Sequence, residues 1–244
     1  MIFSCAIWTG LFAFIYGQVL SFTKKPIQRQ NYVFDLLFFA GTSLLGFYAM
    51  WHTPELYSDT FSAKCPKYSS RFARWIVDYF PFINLGYYIS SMALSVQTEI
   101  DSGKRWRMMA HHMSSCASIL LTHYLLGDKL IVFNAFIHNF CDIFLLLGKI
   151  LLYDRHHPFL ADLMLFIFVP IWLYARLYIA QRYVMWPVFV ENALQAPPLL
   201  YALGVPLGLL LQTLQIYWTY QIARLAVRKV IKPNEKTATD DDDA

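Results

Sequence analysis

The sequence is poor in charge and lacks the motifs of the common soluble enzyme classes. Only 15% of its 244 residues are charged and 57% are hydrophobic, which is more apolar surface than a soluble core of this size can bury. Its four cysteines show no C-x-x-C spacing, which argues against a disulfide framework or a zinc knuckle. A glycine-rich phosphate loop, a G-x-S-x-G elbow and an H-E-x-x-H pair are also missing, which removes the common nucleotide, hydrolase and zincin sites. The composition predicts an all-α polytopic membrane protein.

Apolar windows divide the chain. A helix needs about 20 apolar residues to cross a hydrocarbon core of roughly 30 Å, and such windows cover residues 2–22, 32–50, 80–98, 108–126, 129–152, 160–181 and 199–223. We therefore expect about seven transmembrane helices. The first window has no basic segment before it and no small-residue cleavage site after it, which predicts a retained span rather than a signal peptide.

The predicted domain organisation follows from these windows. Residues 1–31 form an N-terminal transmembrane helix with a basic cytosolic loop, 32–230 form the main transmembrane domain, and 231–244 form a disordered acidic tail. An odd number of spans places the termini on opposite sides of the membrane. Lys and Arg are more numerous in the loops that share a side with the C-terminus, so the positive-inside rule predicts a lumenal N-terminus and a cytosolic C-terminus.

Ionisable side chains fall inside two neighbouring windows. His111 and His112 open the fourth window, and His138 and Asp142 lie one turn apart on one face of the fifth. A charge at a membrane centre costs at least about 2.5 kcal/mol, so such groups are rarely present without a partner or a task. A turn of two or three residues joins the two windows, which makes their helices neighbours. The four side chains are therefore predicted to meet, with the carboxylate orienting an imidazole.

Three kinds of role fit this polar group. The side chains can hold helices together by hydrogen bonds, as polar residues often do in membrane bundles. Three of the four can also hold one zinc ion, although the seven histidines form no HxxxH or HxxHH box of the di-iron membrane enzymes. The third role is acid-base or nucleophilic chemistry by histidine on an amine, a hydroxyl or a thioester, which describes acyl transfer without a metal.

Residues 107–113, with the His-His pair, and residues 138–153 together resemble the signature of ceramide synthases in the TLC-domain superfamily. That signature places a His-His pair at the start of one span and H-D-x-x-D-x-x-x-E-x-x-K in the next. The resemblance continues at Arg176, at Trp186-Pro187 with Glu191, and over residues 211–224, and covers roughly residues 32–230. Asn139 stands where the signature has its first Asp, and Leu146 stands where it has its Glu.

The resemblance implies an N-acyltransferase of the endoplasmic reticulum membrane, in which spans two to seven enclose a central cavity. It would move a fatty acyl group from acyl-CoA, as co-substrate and without a cofactor, to the amine of a sphingoid base. His111 and His112 would supply the base or nucleophile, and His138 and Asp142 would orient them. Asn139, Lys149, Arg176, Lys104, Arg105 and Arg107 would contribute to substrate binding, the last three at the CoA phosphates.

Ordinary positive-inside anchoring is the alternative role of these three basic residues. The expected partners are the two substrates, the bilayer and a second protomer in a homodimer or heterodimer, and no nucleic acid.

Two other functions stay open at this point. The missing carboxylates at Asn139 and Leu146 also fit a catalytically silent TLC protein, which binds or senses sphingolipids or partners an active paralogue. An amide can accept a hydrogen bond but cannot hold a charge against an imidazolium. A TLC-type transporter or lipid-shaping protein is the other alternative, and it predicts that Asp142→Asn leaves function unchanged.

Overall fold

The computed structural model describes residues 2–22, 27–53, 69–95, 102–154, 157–191 and 198–231. This part of the chain is helical throughout its regular structure and contains no strand, so the prediction of an all-α fold is confirmed. Its α-helices are α1 (Ile2–Phe22), α2 (Ile27–Trp51), α3 (Arg71–Ser95), α4 (Ser102–Leu125), α5 (Asp128–Asp154), α6 (Pro158–Trp172) and α7 (Val205–Ile231). The predicted acidic tail after Ile231 lies outside the described residues.

Membrane-spanning length and hydropathy are found in several of these helices. Within the described ranges, four segments are long and apolar enough to cross a bilayer: Gln30–Trp51, Asp128–Tyr153, Pro158–Val190 and Leu200–Ile231. The chain is therefore an all-α membrane protein. The third helix differs from its predicted window, because α3 begins at Arg71 and passes through Pro81 without ending. A proline inside a membrane-spanning helix is tolerated because neighbouring helices and local adjustments satisfy the backbone groups that it leaves unpaired.

Two glycines lie at close contacts between helices. At Gly46 of α2, an added Cβ would lie 3.1 Å from the Cβ of Phe136 on α5. At Gly86 of α3, it would lie 2.7 Å from the Cβ of Trp8 on α1. Small residues let two helix backbones come close in this way. In lipid the hydrophobic effect does not drive helices together, so the van der Waals packing gained at such positions stabilises the bundle. Helix α2 thus packs against α5, and α1 packs directly on α3.

Helix α6 does not stop at Trp172. It continues through three π-helical segments, Leu173–Ile179, Gln181–Met185 and Pro187–Glu191, and a fourth, Leu200–Gly204, leads into α7. Short π-helical segments are rare in proteins as a whole, and those that occur are often found at functional sites. The first of them carries Arg176, whose side chain is buried inside the bundle. This segment brings the sixth span into the polar interior.

Candidate active site

A cavity of about 170 Å³ lies inside the bundle. Its lining comes from α3, α4, α5, α7 and the π-helical continuation of α6, while α2 packs behind α5; five of the six expected helices thus form the wall. Side chains with polar groups cover one part of the lining, among them Asn84, His111, Asn134, His138, Arg176 and Gln215. Another part is apolar and includes Leu126, Leu130, Val184, Val188 and Leu200. The cavity therefore combines a polar interior with an apolar wall.

Arg176 is the most highly connected polar group of this region. Its guanidinium donates hydrogen bonds to Asp142 Oδ2 at 2.5 Å, to the backbone carbonyl of His138 at 3.3 Å and to Gln215 Oε1 at 3.5 Å. It also stacks on Trp172, with 4.1 Å between the guanidinium carbon and the ring centroid. Arg176 thus joins α5, α6 and α7, and its charge is balanced by that of Asp142.

The two neighbouring histidines face different surroundings. His111 lines the cavity, with its ring 5.0 Å from Trp218 and 5.7 Å from His112 between centroids. Its Nδ1 is buried and has no hydrogen-bond partner among the described residues. His112 is only 6% exposed and packs against Tyr88 at 5.3 Å. His111 is therefore the member of the pair that can meet a ligand, whereas His112 supports it from behind.

The fifth helix carries His138 to the cavity but directs its other predicted site residues elsewhere. Asn139 is 1% exposed and donates a hydrogen bond to Thr42 Oγ1 of α2 at 2.9 Å. Lys149 lies over the ring of Tyr32, also on α2, with 5.0 Å to the ring centroid. Both side chains thus belong to the contact between α2 and α5. The described lining of the cavity includes neither of them.

The predicted basic cluster opens α4. Arg107, one turn before His111, lies over the ring of Tyr217 at 5.2 Å, and Arg105 is partly buried. The side chain of Lys104 lies outside the described part of the structure. Arg107 and Tyr217 therefore flank the end of the bundle at which His111 enters the cavity.

The zinc alternative requires at least three ligands in one place. Within the described ranges, no three His, Cys, Asp or Glu side chains are grouped so that they could hold a metal ion. Asp142 is bound to Arg176, and the ring of His112 packs against Tyr88. The lining of the cavity contains the imidazoles of His111 and His138, several amides, and the guanidinium of Arg176, whose charge is balanced by Asp142.

Comparison with protein families identifies the fold. The profile of the TLC domain (TRAM/LAG1/CLN8) matches residues 29–224. The chain belongs to the TLC domain family. This family includes ceramide synthases as well as lipid-sensing and non-catalytic members. A search of curated proteins gives no match. The match covers α2 to most of α7, so all the helices that line the cavity are part of the TLC domain, whereas α1 lies outside it.

The cavity also involves residues that the sequence does not predict as site residues. Asn84 and Tyr88 of α3 line the cavity, as do Gln212 and Gln215 of α7, and Trp218 packs on His111. For Asn84, Gln212 and Gln215 a signal exists in the sequence, because amides are unusual in strongly apolar spans. The signal is weak, because each amide lies in a window without an ionisable side chain close to it.

Proposed function

We propose that this TLC protein is an N-acyltransferase of the ceramide synthase type in the endoplasmic reticulum membrane. It transfers a fatty acyl group from acyl-CoA to the amine of a sphingoid base. The observation that carries the proposal is His111, which lines a cavity inside the bundle with an unpartnered ring nitrogen. An imidazole in this situation has its chemistry available to a ligand, whereas a purely structural histidine uses its nitrogens to bind other helices.

Histidine can promote this transfer as a base. His111 accepts a proton from the amine while the amine attacks the thioester carbonyl, so that a C–N bond forms and the C–S bond breaks. The imidazolium then gives its proton to the departing thiolate, and CoA leaves as a thiol.

It can also act as a nucleophile. The ring nitrogen displaces CoA, the ring N–H proton leaves with the thiol, and the amine then attacks the acyl-imidazole, forms the amide and returns a proton to the ring. Mass spectrometry of the protein after exposure to acyl-CoA without amine separates the two routes, because only the second leaves an acyl group on the protein.

The other predicted site residues receive more indirect roles in this proposal. Asp142 neutralises Arg176, and Arg176 holds the carbonyl of His138, so this pair fixes the wall beside the imidazoles. His112 positions His111 through packing with Tyr88. Arg107 lies one turn from His111 and is suited to the phosphates of a cytosolic CoA. This assigns the cytosol to the end of the bundle where α4 begins, consistent with a lumenal N-terminus.

The size of the cavity constrains how a lipid binds. A volume of about 170 Å³ is close to the roughly 150 Å³ of a cavity that accepts benzene and falls below the roughly 300–1,000 Å³ of typical ligand pockets. The cavity therefore holds the reacting groups and the first few carbons. The rest of each chain passes between helices into the bilayer, or the helices separate when lipid enters.

The test is an acyl-transfer assay with purified protein in lipid nanodiscs, acyl-CoA and sphinganine. We expect N-acylsphinganine from the wild type and loss of product in His111→Ala. The matched control is His123→Ala, which removes a histidine of the same helix that pairs with Asp128 rather than lining the cavity. It should retain turnover. Equal loss in both variants would refute the assigned role of His111.

A catalytically silent, lipid-binding TLC protein is the second candidate. Within the described residues, no carboxylate is hydrogen-bonded to His111, His112 or His138, since Asp142 is bound to Arg176. An imidazole without a carboxylate partner loses a major source of orientation and charge stabilisation. Absence of product from the wild type, together with retained binding of sphinganine, would establish this candidate in place of the enzyme.

A further inference from the structure

Asn84 is a polar residue with no role in the reaction described so far. It lies in the middle of α3, is 0% exposed, and is one of the residues that line the cavity. Its Nδ2 donates a hydrogen bond to the backbone carbonyl of Phe80, one turn earlier, at 2.9 Å. This bond fixes which way the amide points, because only the nitrogen can donate. The Oδ1 atom is thereby held on the other side of the amide group.

That oxygen has no partner. Asn84 Oδ1 is fully buried and accepts no hydrogen bond from any described residue. Buried side-chain acceptors are nearly always paired, and an exception in a folded protein calls for a specific explanation. Nδ1 of His111 is in the same condition, and His111 lines the same cavity. Two residues on different helices, each with an unsatisfied buried atom, therefore line one cavity, and a molecule bound there is the simplest partner for both.

Among the described residues, two buried hydroxyl groups also lack a hydrogen-bond partner, but their residues do not line the cavity. They are Ser43 Oγ of α2 and Thr53 Oγ1 after α2. They show that an unpaired atom alone is not a site. Asn84 is distinguished by its position on the cavity wall. Ser43 consequently provides a control that shares the burial of Asn84 but not its access to a ligand.

We propose that Asn84 Oδ1 accepts a hydrogen bond from a hydroxyl group of the acceptor lipid, next to the amine that reacts at His111. This inference rests on the proposed acyl transfer and adds a determinant of acceptor specificity to it. Asn84 lies one turn from Tyr88, whose ring is 6.3 Å from that of His111. A headgroup bound in the cavity can therefore contact both Asn84 and His111, because both residues line it. A neutral amide oxygen suits a hydroxyl, since it neither carries nor requires a charge.

The experiment compares two acceptors on three proteins. The acceptors are sphinganine and the saturated 2-aminoalkane of the same length, which has the amine but no hydroxyl. The proteins are the wild type, Asn84→Leu, which is nearly isosteric and has no acceptor, and Ser43→Ala. The wild type should prefer sphinganine by roughly tenfold in kcat/KM, the effect of one net hydrogen bond at the upper end of the usual range.

The preference should disappear in Asn84→Leu through a higher KM for sphinganine, with the KM for acyl-CoA unchanged, and should persist in Ser43→Ala. A wild type that uses both amines equally, or an Asn84→Leu protein that keeps the preference, overturns the inference. If Asn84→Leu does not fold, Asn84→Ala is measured with the same expectation.

If the wild type makes no product at all, the proposed transfer fails separately. Equilibrium binding of the two amines to the wild type and to Asn84→Leu then decides the role of Asn84. If sphinganine binds more tightly than the 2-aminoalkane to the wild type but not to Asn84→Leu, the role of Asn84 is supported. If both proteins bind the two amines equally, it is overturned.

Discussion

The ion pair between Arg176 and Asp142 provides the most quantitative test of the structure. The two side chains are 4% and 19% exposed, and their charged atoms lie 2.5 Å apart. Removing one partner of a buried pair leaves a charge without compensation, which typically costs about 3–5 kcal/mol. Asp142→Asn keeps an acceptor of the same size but removes the negative charge. Arg176→Met keeps the apolar stem but leaves the carboxylate alone.

We expect each single variant to lose about 3–5 kcal/mol of unfolding free energy. Arg176→Met should lie at the upper end, because it also removes the bonds to the His138 carbonyl and to Gln215. The double variant has no uncompensated charge. It should therefore be more stable than the sum of the single losses predicts, with a coupling energy of about 2–3 kcal/mol.

The measurement is reversible unfolding in mixed micelles for the wild type, both single variants and the double variant. A second pair supplies the control: Lys229 lies 3.1 Å from Asp162, but these side chains are 17% and 37% exposed. The Lys229→Met and Asp162→Asn cycle should give at most about 1 kcal/mol, because partly solvated pairs contribute little. Additivity within about 0.5 kcal/mol at Arg176 and Asp142 would refute the buried pair.

Two further predictions concern helix packing. Gly86→Leu should destabilise the protein by about 1–3 kcal/mol, because its side chain would displace Trp8; Gly41→Leu, at a glycine with no atom within 4 Å of an added Cβ, should not, and equal unfolding curves for both would contradict the contact. Trp172→Phe should cost about 1 kcal/mol in addition to lost packing, because it removes the 2.9 Å bond from the indole N–H to Thr219. Thr219→Val also removes the bond from Thr219 to the carbonyl of Gln215, so its cost should be smaller in the Trp172→Phe background than in the wild type, and equal costs in the two backgrounds would contradict the Trp172 bond.

The sequence predicts the helices well because lipid imposes a simple rule. Every backbone polar group of a membrane-spanning segment must be satisfied internally, so an apolar window of sufficient length has to be helical. The sequence also places His138 and Asp142 on one face of α5, and Arg176 contacts both residues, through a backbone carbonyl and a carboxylate. Local periodicity is sufficient to predict that His138 and Asp142 share a face, since both lie within one helix.

Contacts between helices could not be predicted in the same way. Lys149 has nearly the azimuth of His138, but eleven residues of helix separate them by about 16 Å, which takes Lys149 to Tyr32 on α2. The pairing of Asp142 with Arg176 spans two helices and depends on the π-helical segment that carries Arg176. Hydropathy contains no information about that segment, because a π turn changes which residues face inward without changing composition.

The asparagine at position 139 has an explanation in the local hydrogen bonds. Thr42 donates its hydroxyl proton to the backbone carbonyl of Phe38 at 2.8 Å. Its oxygen is then left as an acceptor, and Asn139 supplies the donor through Nδ2 at 2.9 Å. An ionised aspartate has no proton to give at this position. Asn139 therefore satisfies a buried hydroxyl in the contact between α2 and α5.

We expect an unfavourable outcome for Asn139→Asp, the change that restores the first carboxylate of the ceramide synthase signature. The new oxygen would face the acceptor lone pairs of Thr42, so we expect a loss of about 1–3 kcal/mol in unfolding free energy and no gain in acyl transfer. Combining it with Thr42→Val should recover part of the stability, because the conflicting acceptor is removed. In the structure, residue 139 has no contact with the cavity. A stable Asn139→Asp protein with higher turnover than the wild type would contradict this and show that residue 139 acts in the chemistry.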